Sequence, residues 1–331
     1  KGGYDHFMLK EIMEQPRAVK ATMAPRIRGN DIVLDDADMD MHGIRKIIIT
    51  ACGSAYYAGC AAKYAIEALC RIPVSVELAS ELRYCNPLIG EDTLLIALSQ
   101  SGETADTIAA LREGKSRGAR TLAIVNVVGS TVAKIADWCL YTWAGPEIAV
   151  ATTKGYTTQL TALYLFALHT AKQLNTVDDA TYRSMLSALK ALPKQLQQAL
   201  DMNPEIPQLA KKYHKAKSMF FIGRNTDYAV ALEGALKMKE ISYLHAEAYA
   251  AGELKHGTIA LIEDKQPVVA LCCNDAITEK TMSNIVEVKA RGAEVLAVAP
   301  RGNGRILSLA DDMIFVPQVN PLFSAVVEIV P

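Results

Sequence analysis

The chain repeats itself, and no other feature restricts its fold as much. "RKIIITACGSAYYAG" (45–59) and "KSMFFIGRNTDYAV" (217–230) each read as a β-branched strand, a glycine turn and a helix start. Aligning Gly53 with Gly223 sets an offset of 170; "SELRY" (80–84) then faces "GELKH" (252–256) at 172. "RGARTLAIV" (117–125) faces "RGAEVLAVA" (291–299), and "IADW" (135–138) faces "LADD" (309–312), both at 174. A drift of four residues over such a distance points to a duplicated domain.

Within each copy, short apolar runs alternate with amphipathic helical stretches. In the first copy the strands are expected near 46–51, 74–78, 93–98, 121–125 and 139–142. Continuous apolar strands separated by helices imply a parallel sheet covered on both faces. The expected fold class is therefore α/β, with two tandem doubly wound, flavodoxin-like domains. The segmentation is an N-terminal helical segment (1–42, its helix near 4–24), a first domain (43–172), a helical linker (173–212, with a break at Pro193) and a second domain (213–331). A chain of 331 residues has room for two such cores.

Charge and cysteine usage narrow the function. Thirty-five basic residues against 36 acidic ones leave a net charge of −1, so no basic surplus argues for nucleic acid. The longest apolar stretch (160–171) is too short and interrupted to span a bilayer, and the first residues do not read as a signal peptide. Seven scattered cysteines without ligand spacing read as buried free thiols of a reducing, cytoplasmic compartment, with no metal expected.

"ALSQSGETADT" (97–107) is the richest stretch chemically. A buried strand hands over to Ser99, Gln100, Ser101, Gly102 and Thr104 at its carboxyl end, where doubly wound sheets bind ligands. Hydroxyls, a glycine and a helix N-terminus suit a phosphate. The same residues also suit an ordinary helix start, with Ser101 as cap and Thr104 three residues on. The second copy has "ALCCNDAITEKT" (270–281) at this place, with cysteines where the first has hydroxyls. "CGSAYYAG" lacks the dinucleotide glycine pattern, although Ser54 could line the same pocket. In "EIAVATTKGYTTQ" (147–159), Thr152 and Thr153 are either caps or ligand contacts. Glu233, Lys237 and Glu240 fall on one face of the helix "YAVALEGALKMKEISYLH", followed by His245, Glu247, Glu253, Lys255 and His256. That face is either solvated or a proton-transfer site with Glu240 as general base.

Together "LSQSGETADT", "ALEGALKMKEISYLHAEAYAAGELKHG" and "EIAVATTKGYTTQ" resemble the isomerase half of the glutamine–fructose-6-phosphate aminotransferases, or glucosamine-6-phosphate synthases. The resemblance covers nearly the whole chain and implies two sugar isomerase (SIS) domains. It implies that Ser99, Gln100, Ser101 and Thr104 bind a sugar phosphate, fructose 6-phosphate or glucosamine 6-phosphate. Cys52, Gly53, Ser54, Asp106 and Val150 would line the sugar pocket. Glu240 would shuttle the proton between C1 and C2, with Lys237 as its charged neighbour. His256 would open the sugar ring, contributed across a homodimer interface. No cofactor is implied. The family also carries a glutaminase domain with a terminal cysteine nucleophile, and a tail lysine that forms a Schiff base; neither is matched by a residue here, so glutamine hydrolysis is not expected of these residues. Ala55 and Thr258 depart from the pattern, standing where a hydroxyl and a proline are expected. Other readings of this fold are a non-catalytic phosphosugar sensor and a sugar-phosphate deglycase or deaminase.

Overall fold

The computed structural model describes residues 2–331. They form two compact units, divided between Pro193 and Lys194. The first opens with α1 (Phe7–Met13) and α2 (Gln15–Met23), then a small hairpin of β1 (Ile27–Arg28) and β2 (Asp31–Ile32). One helix over 4–24 is expected from the sequence, but two form, because Pro16 has no N–H to give the carbonyl four residues back. The Gln15 side-chain amide donates to that carbonyl, Ile12 O, at 3.1 Å instead.

The body of the first unit is β3 (Lys46–Ala51), α3 (Ser54–Cys70), β4 (Val74–Leu78), α4 (Ala79–Leu82), β5 (Thr93–Ser99), α5 (Ala105–Ser116), β6 (Arg120–Val125), α6 (Thr131–Ile135), β7 (Trp138–Tyr141) and α7 (Lys154–Gln173). The sheet order is β4-β3-β5-β6-β7, and every pair is parallel. The five strands lie within a residue of their expected places. Alternation within the strands splits the core. Ile48, Leu95 and Ala123 pack under Leu82, Ala110, Leu111 and Val132. Ile49 faces α3, where Gly59 leaves room that a Cβ would lose, at 2.8 Å from Ile49 Cγ2. Because β3 connects to β4 on one side and the chain then returns to β5 on the other, the order of the sheet switches between β3 and β5.

Helix α8 (Asp179–Asp201) runs without interruption through Pro193, where a break is expected from the sequence. Tyr182, Leu186, Leu189, Leu192, Leu196 and Ala199 are all buried at helical spacing on both sides of the proline. Burying each leucine contributes about 2 kcal/mol, which together exceeds the roughly 3 kcal/mol of one proline in a helix. The division between the compact units falls at Pro193 instead.

The second unit continues with α9 (Ile206–Tyr213), β8 (Ser218–Gly223), α10 (Thr226–Ser242), β9 (His245–Ala250), β10 (Pro267–Leu271), α11 (Thr278–Lys289), β11 (Glu294–Pro300), α12 (Gly304–Leu309), β12 (Asp312–Val316) and α13 (Ala325–Glu328). Short 3-10 turns cover Ala251–His256, Thr258–Leu261 and Pro321–Phe323. Its parallel sheet has the order β9-β8-β10-β11-β12, matching the first strand for strand. The register of the repeat needs one correction. Strand β3 ends at Ala51 and β8 at Gly223, so Gly223 matches Ala51, not Gly53. The counterpart of Gly53 (φ 58°, ψ −133°) is Asn225 (φ 57°, ψ −128°), each the residue ahead of its helix. Gly223 is small for another reason: a Cβ there would lie 2.6 Å from the Asp227 carbonyl carbon.

Cys70, Cys272 and Cys273 are buried, Cys52, Cys60 and Cys139 half-buried and Cys85 exposed, all as free thiols. Burial therefore holds for three of the seven thiols expected to be buried. No helix among the described residues is long and apolar enough to cross a membrane.

Candidate functional site

In the first unit, two helices begin at the carboxyl ends of the neighbouring strands β3 and β5. The main-chain amides of a helix's first turn have no partner within the helix and carry its positive dipole end. Gly53, ahead of α3, has no side chain to cap them. Thr104, ahead of α5, makes no side-chain hydrogen bond to the first turn. Ser101 is not the cap either: its hydroxyl accepts from Glu103 N at 3.2 Å, within the loop. The capped-start reading of 99–104 thus loses its capping residue.

The loop is shaped from inside. Buried Ser99 accepts from Gly102 N at 2.9 Å through Oγ, which also lies 3.1 Å from Thr104 Oγ1. Gly102 holds φ 67° and presses on Ser130 so closely that a Cβ would sit 2.0 Å from its Oγ. Glu103 turns away and accepts from Thr131 N and Thr131 Oγ1 at 2.8 and 2.7 Å, fixing the loop to the start of α6. Ser101 stays exposed and Gln100 half-buried, above the start of α5.

Of the residues expected at a sugar pocket, Cys52 and Asp106 lie at the start of α5, next to this loop. The Cys52 thiol lies 3.8 Å from Thr107 Oγ1, in the first turns of α5. Gly53 and buried Ser54 open α3. Asp106 is exposed in the first turn of α5. Val150 stands wholly exposed on the segment before α7. That segment meets the loop at Gly155, where a Cβ would lie 3.2 Å from Gln100 Cγ.

Neither Thr152 nor Thr153 caps α7 through its own hydroxyl. The carboxylate of Glu147 does so, accepting from Gly155 N at 2.7 Å and Thr153 N at 3.4 Å. Burial pushes its carboxyl above the ordinary value, against the pull of those hydrogen bonds. The next residues are held by Glu11 of α1, whose Oε1 accepts from Ile148 N at 2.6 Å and Ala149 N at 3.2 Å. Buried Lys154 donates to Glu14 Oε2 at 2.8 Å. Sequence reading misses Glu11, Glu14 and Glu147, because their partners are main-chain amides or lie about 140 residues away.

In the second unit the charged face of α10 is an ion-pair chain. Lys237 Nζ lies 2.8 Å from Glu240 Oε2 and 3.4 Å from Glu233 Oε1. Glu233 is buried, Lys237 is mostly buried and the Glu240 carboxylate is one-third exposed, so the chain of charges leads outward to Glu240. His256 ends the first 3-10 turn, exposed, and its ring has no hydrogen-bond or ion-pair partner among the described residues. The other histidine of this stretch, His245, lies 3.3 Å from Glu247.

The second unit differs at the counterpart of Gly53. Asn225 caps α10 by accepting from Thr226 N at 2.8 Å. Asp227, at the register position of Ala55, sends its carboxyl to Cys273 N at 3.1 Å, just past β10. Where Gly53 leaves the start of α3 without a side-chain cap, Asn225 gives α10 one.

Comparison with known proteins agrees with this architecture. The SIS domain family matches residues 40–169 and 212–327. The structure of the C-terminal domain of glucosamine-fructose-6-phosphate aminotransferase from Francisella tularensis superposes with a TM-score of 0.96 at 40% identity, covering 100% of this chain and 94% of that one. The isomerizing glutamine–fructose-6-phosphate aminotransferases of Clostridium tetani and Caldanaerobacter subterraneus are 51% and 52% identical over 335 residues, which is 100% of this chain and 55% of each relative. The chain therefore spans about half the length of the curated relatives it matches. With both sheets matched, the chain belongs to the SIS-domain family, as two SIS domains of the kind that make up the C-terminal domain of glucosamine-fructose-6-phosphate aminotransferases.

Proposed function

We propose that the protein binds fructose 6-phosphate and performs the ketose–aldose isomerisation and amination half of glucosamine-6-phosphate synthesis, with ammonia supplied from outside these residues. The observation that carries the reading is the loop 99–104, a tight glycine turn laid over a helix start that no side chain caps. A phosphate dianion there gains the α5 amides and the dipole end, with hydroxyl donors from Ser101 and Thr104. Ser99 contributes by holding the loop's shape. Cys52, Gly53, Ser54, Asp106 and Val150 belong to the sugar's surroundings in this reading.

Isomerisation removes a proton from C1, passes through an enediol or enolamine, and returns a proton to C2. One mobile acceptor suffices, and Glu240 is assigned that role. Lys237, 2.8 Å away, orients the carboxylate. Anchoring the far end of the substrate by its phosphate removes translational freedom from the step. His256 is assigned to ring opening. Its exposed, unpartnered ring suits service to a second protomer, so the reading includes a homodimer. Free thiols support a reducing, cytoplasmic setting.

The test follows solvent deuterium into C1 or C2 of the bound sugar phosphate in the full-length protein. Glu240→Gln is expected to abolish exchange, a loss of at least about 100-fold, while fructose 6-phosphate affinity stays unchanged by calorimetry. Undiminished exchange in that variant removes Glu240 as the base. Binding without exchange in the unaltered protein makes it a phosphosugar sensor.

A further inference from the structure

The segment 147–155 is held by its main chain from two carboxylates. Glu147 turns back on its own segment and takes the amides of Thr153 and Gly155. Glu11, about 137 residues earlier, takes those of Ile148 and Ala149. Four amides are thereby fixed on either side of Val150, whose side chain is left in solvent. The N-terminal helices add one more tie, Glu14 to Lys154 at 2.8 Å, and hold the chain ahead of the segment through Thr22 Oγ1, which donates to Thr142 O at 2.5 Å. At its far end the segment touches Gln100 of the phosphate loop through Gly155.

Glu11 is an expensive residue for simple packing. It is 2% exposed, and its second oxygen, Oε2, is buried with no hydrogen-bond partner among the described residues. An apolar residue would fill the space without burying a carboxyl group. What an apolar residue could not do is accept from two successive amides. Two hydrogen bonds to one oxygen fix the direction of the Ile148 and Ala149 peptides, and with them the place of Val150.

We propose that Glu11 is a positioning residue for sugar binding: through its hold on Ile148 and Ala149 it sets the segment 147–153 against the sugar, and it does not touch the phosphate. The proposal rests on the sugar-phosphate reading above. It divides the site into an anchor that needs only the loop 99–104 and a sugar-facing wall that needs the N-terminal helix.

The test compares fructose 6-phosphate with inorganic phosphate as calorimetric probes of the full chain. Glu11→Ala is expected to weaken fructose 6-phosphate by roughly tenfold or more and to leave inorganic phosphate within about twofold. Glu11→Gln, whose amide oxygen still accepts from both peptides, is expected to restore sugar affinity; a merely structural carboxylate predicts no such split between ligands. If Glu11→Ala does not fold, Glu11→Asp, one methylene shorter, carries the same comparison. Unchanged fructose 6-phosphate affinity, or an equal loss for both ligands, overturns the proposal. If the unaltered chain binds inorganic phosphate but no sugar phosphate, the sugar reading itself fails, and this result appears before any variant is compared.

Discussion

At the scale of single residues, Gly102 decides whether the loop 99–104 holds its shape. Its φ of 67° and its contact with Ser130 leave no space for a Cβ. Gly102→Ala is therefore expected to destabilise the first unit by about 1–3 kcal/mol in thermal or urea unfolding and to abolish fructose 6-phosphate binding. Retained binding with an unchanged melting temperature contradicts the loop's role. The hydroxyls and glycine of 99–104 are legible in the sequence because they are contiguous. Which of them face inward is not. Ser99 turns out to brace the loop, and the capping role expected of Ser101 falls away because its hydroxyl closes a turn on Glu103. Glu147 displaces Thr152 and Thr153 as the cap of α7. Such carboxylate-to-amide contacts leave no trace in residue type or spacing, so sequence reading has no purchase on them.

At the scale of elements, the second unit shows what became of the duplicated loop. Asp227 at the start of α10 and Glu328 on α13 are both buried, at 0% and 4% exposure. Among the described residues neither forms an ion pair with a basic side chain. The groups facing them are each other, the Cys272 and Cys273 thiols past β10, and the Ser324 hydroxyl. Burial pushes both carboxyls above their ordinary values, and their mutual repulsion raises Glu328 further. Burial, and then these carboxyls, push both thiols up as well, so the thiols stay neutral. The folded unit thus keeps protons that the unfolded chain releases above about pH 4. The stabilisation is complete below that ordinary value and is lost as the pH rises through the raised ones. The second unit is expected to melt higher at about pH 5 than at about pH 8, and Asp227→Asn, which still accepts from Cys273 N, is expected to shrink that difference and stabilise the unit at about pH 8. An unchanged pH profile in the variant contradicts the buried pair. The sequence displays the cysteines of 270–281 but not Asp227, because a two-residue slip in aligning the glycines hides its match to Ala55.

At the scale of the whole molecule, the repeat makes the fold readable. The five strands of the first sheet follow from apolar runs and turn residues, since a parallel sheet covered on both faces needs little more than that pattern; β9 of the second, His245–Ala250, carries no such run, and the sequence extends the preceding helix over its first residue. Function is less readable because the copies have diverged in opposite senses. In the first, Gly53 has no side chain to cap α3; in the second, Asn225 caps α10 and Asp227 takes the Cys273 amide just past β10. The proposed function predicts one sugar phosphate per chain, held by the first unit. The most direct measurement is a crystal structure of the protein with fructose 6-phosphate. The expected result is one phosphate group per chain, within about 3 Å of the amides that open α5 and of the Ser101 and Thr104 hydroxyls. A phosphate bound in the second unit, or anywhere away from residues 99–104, contradicts the account.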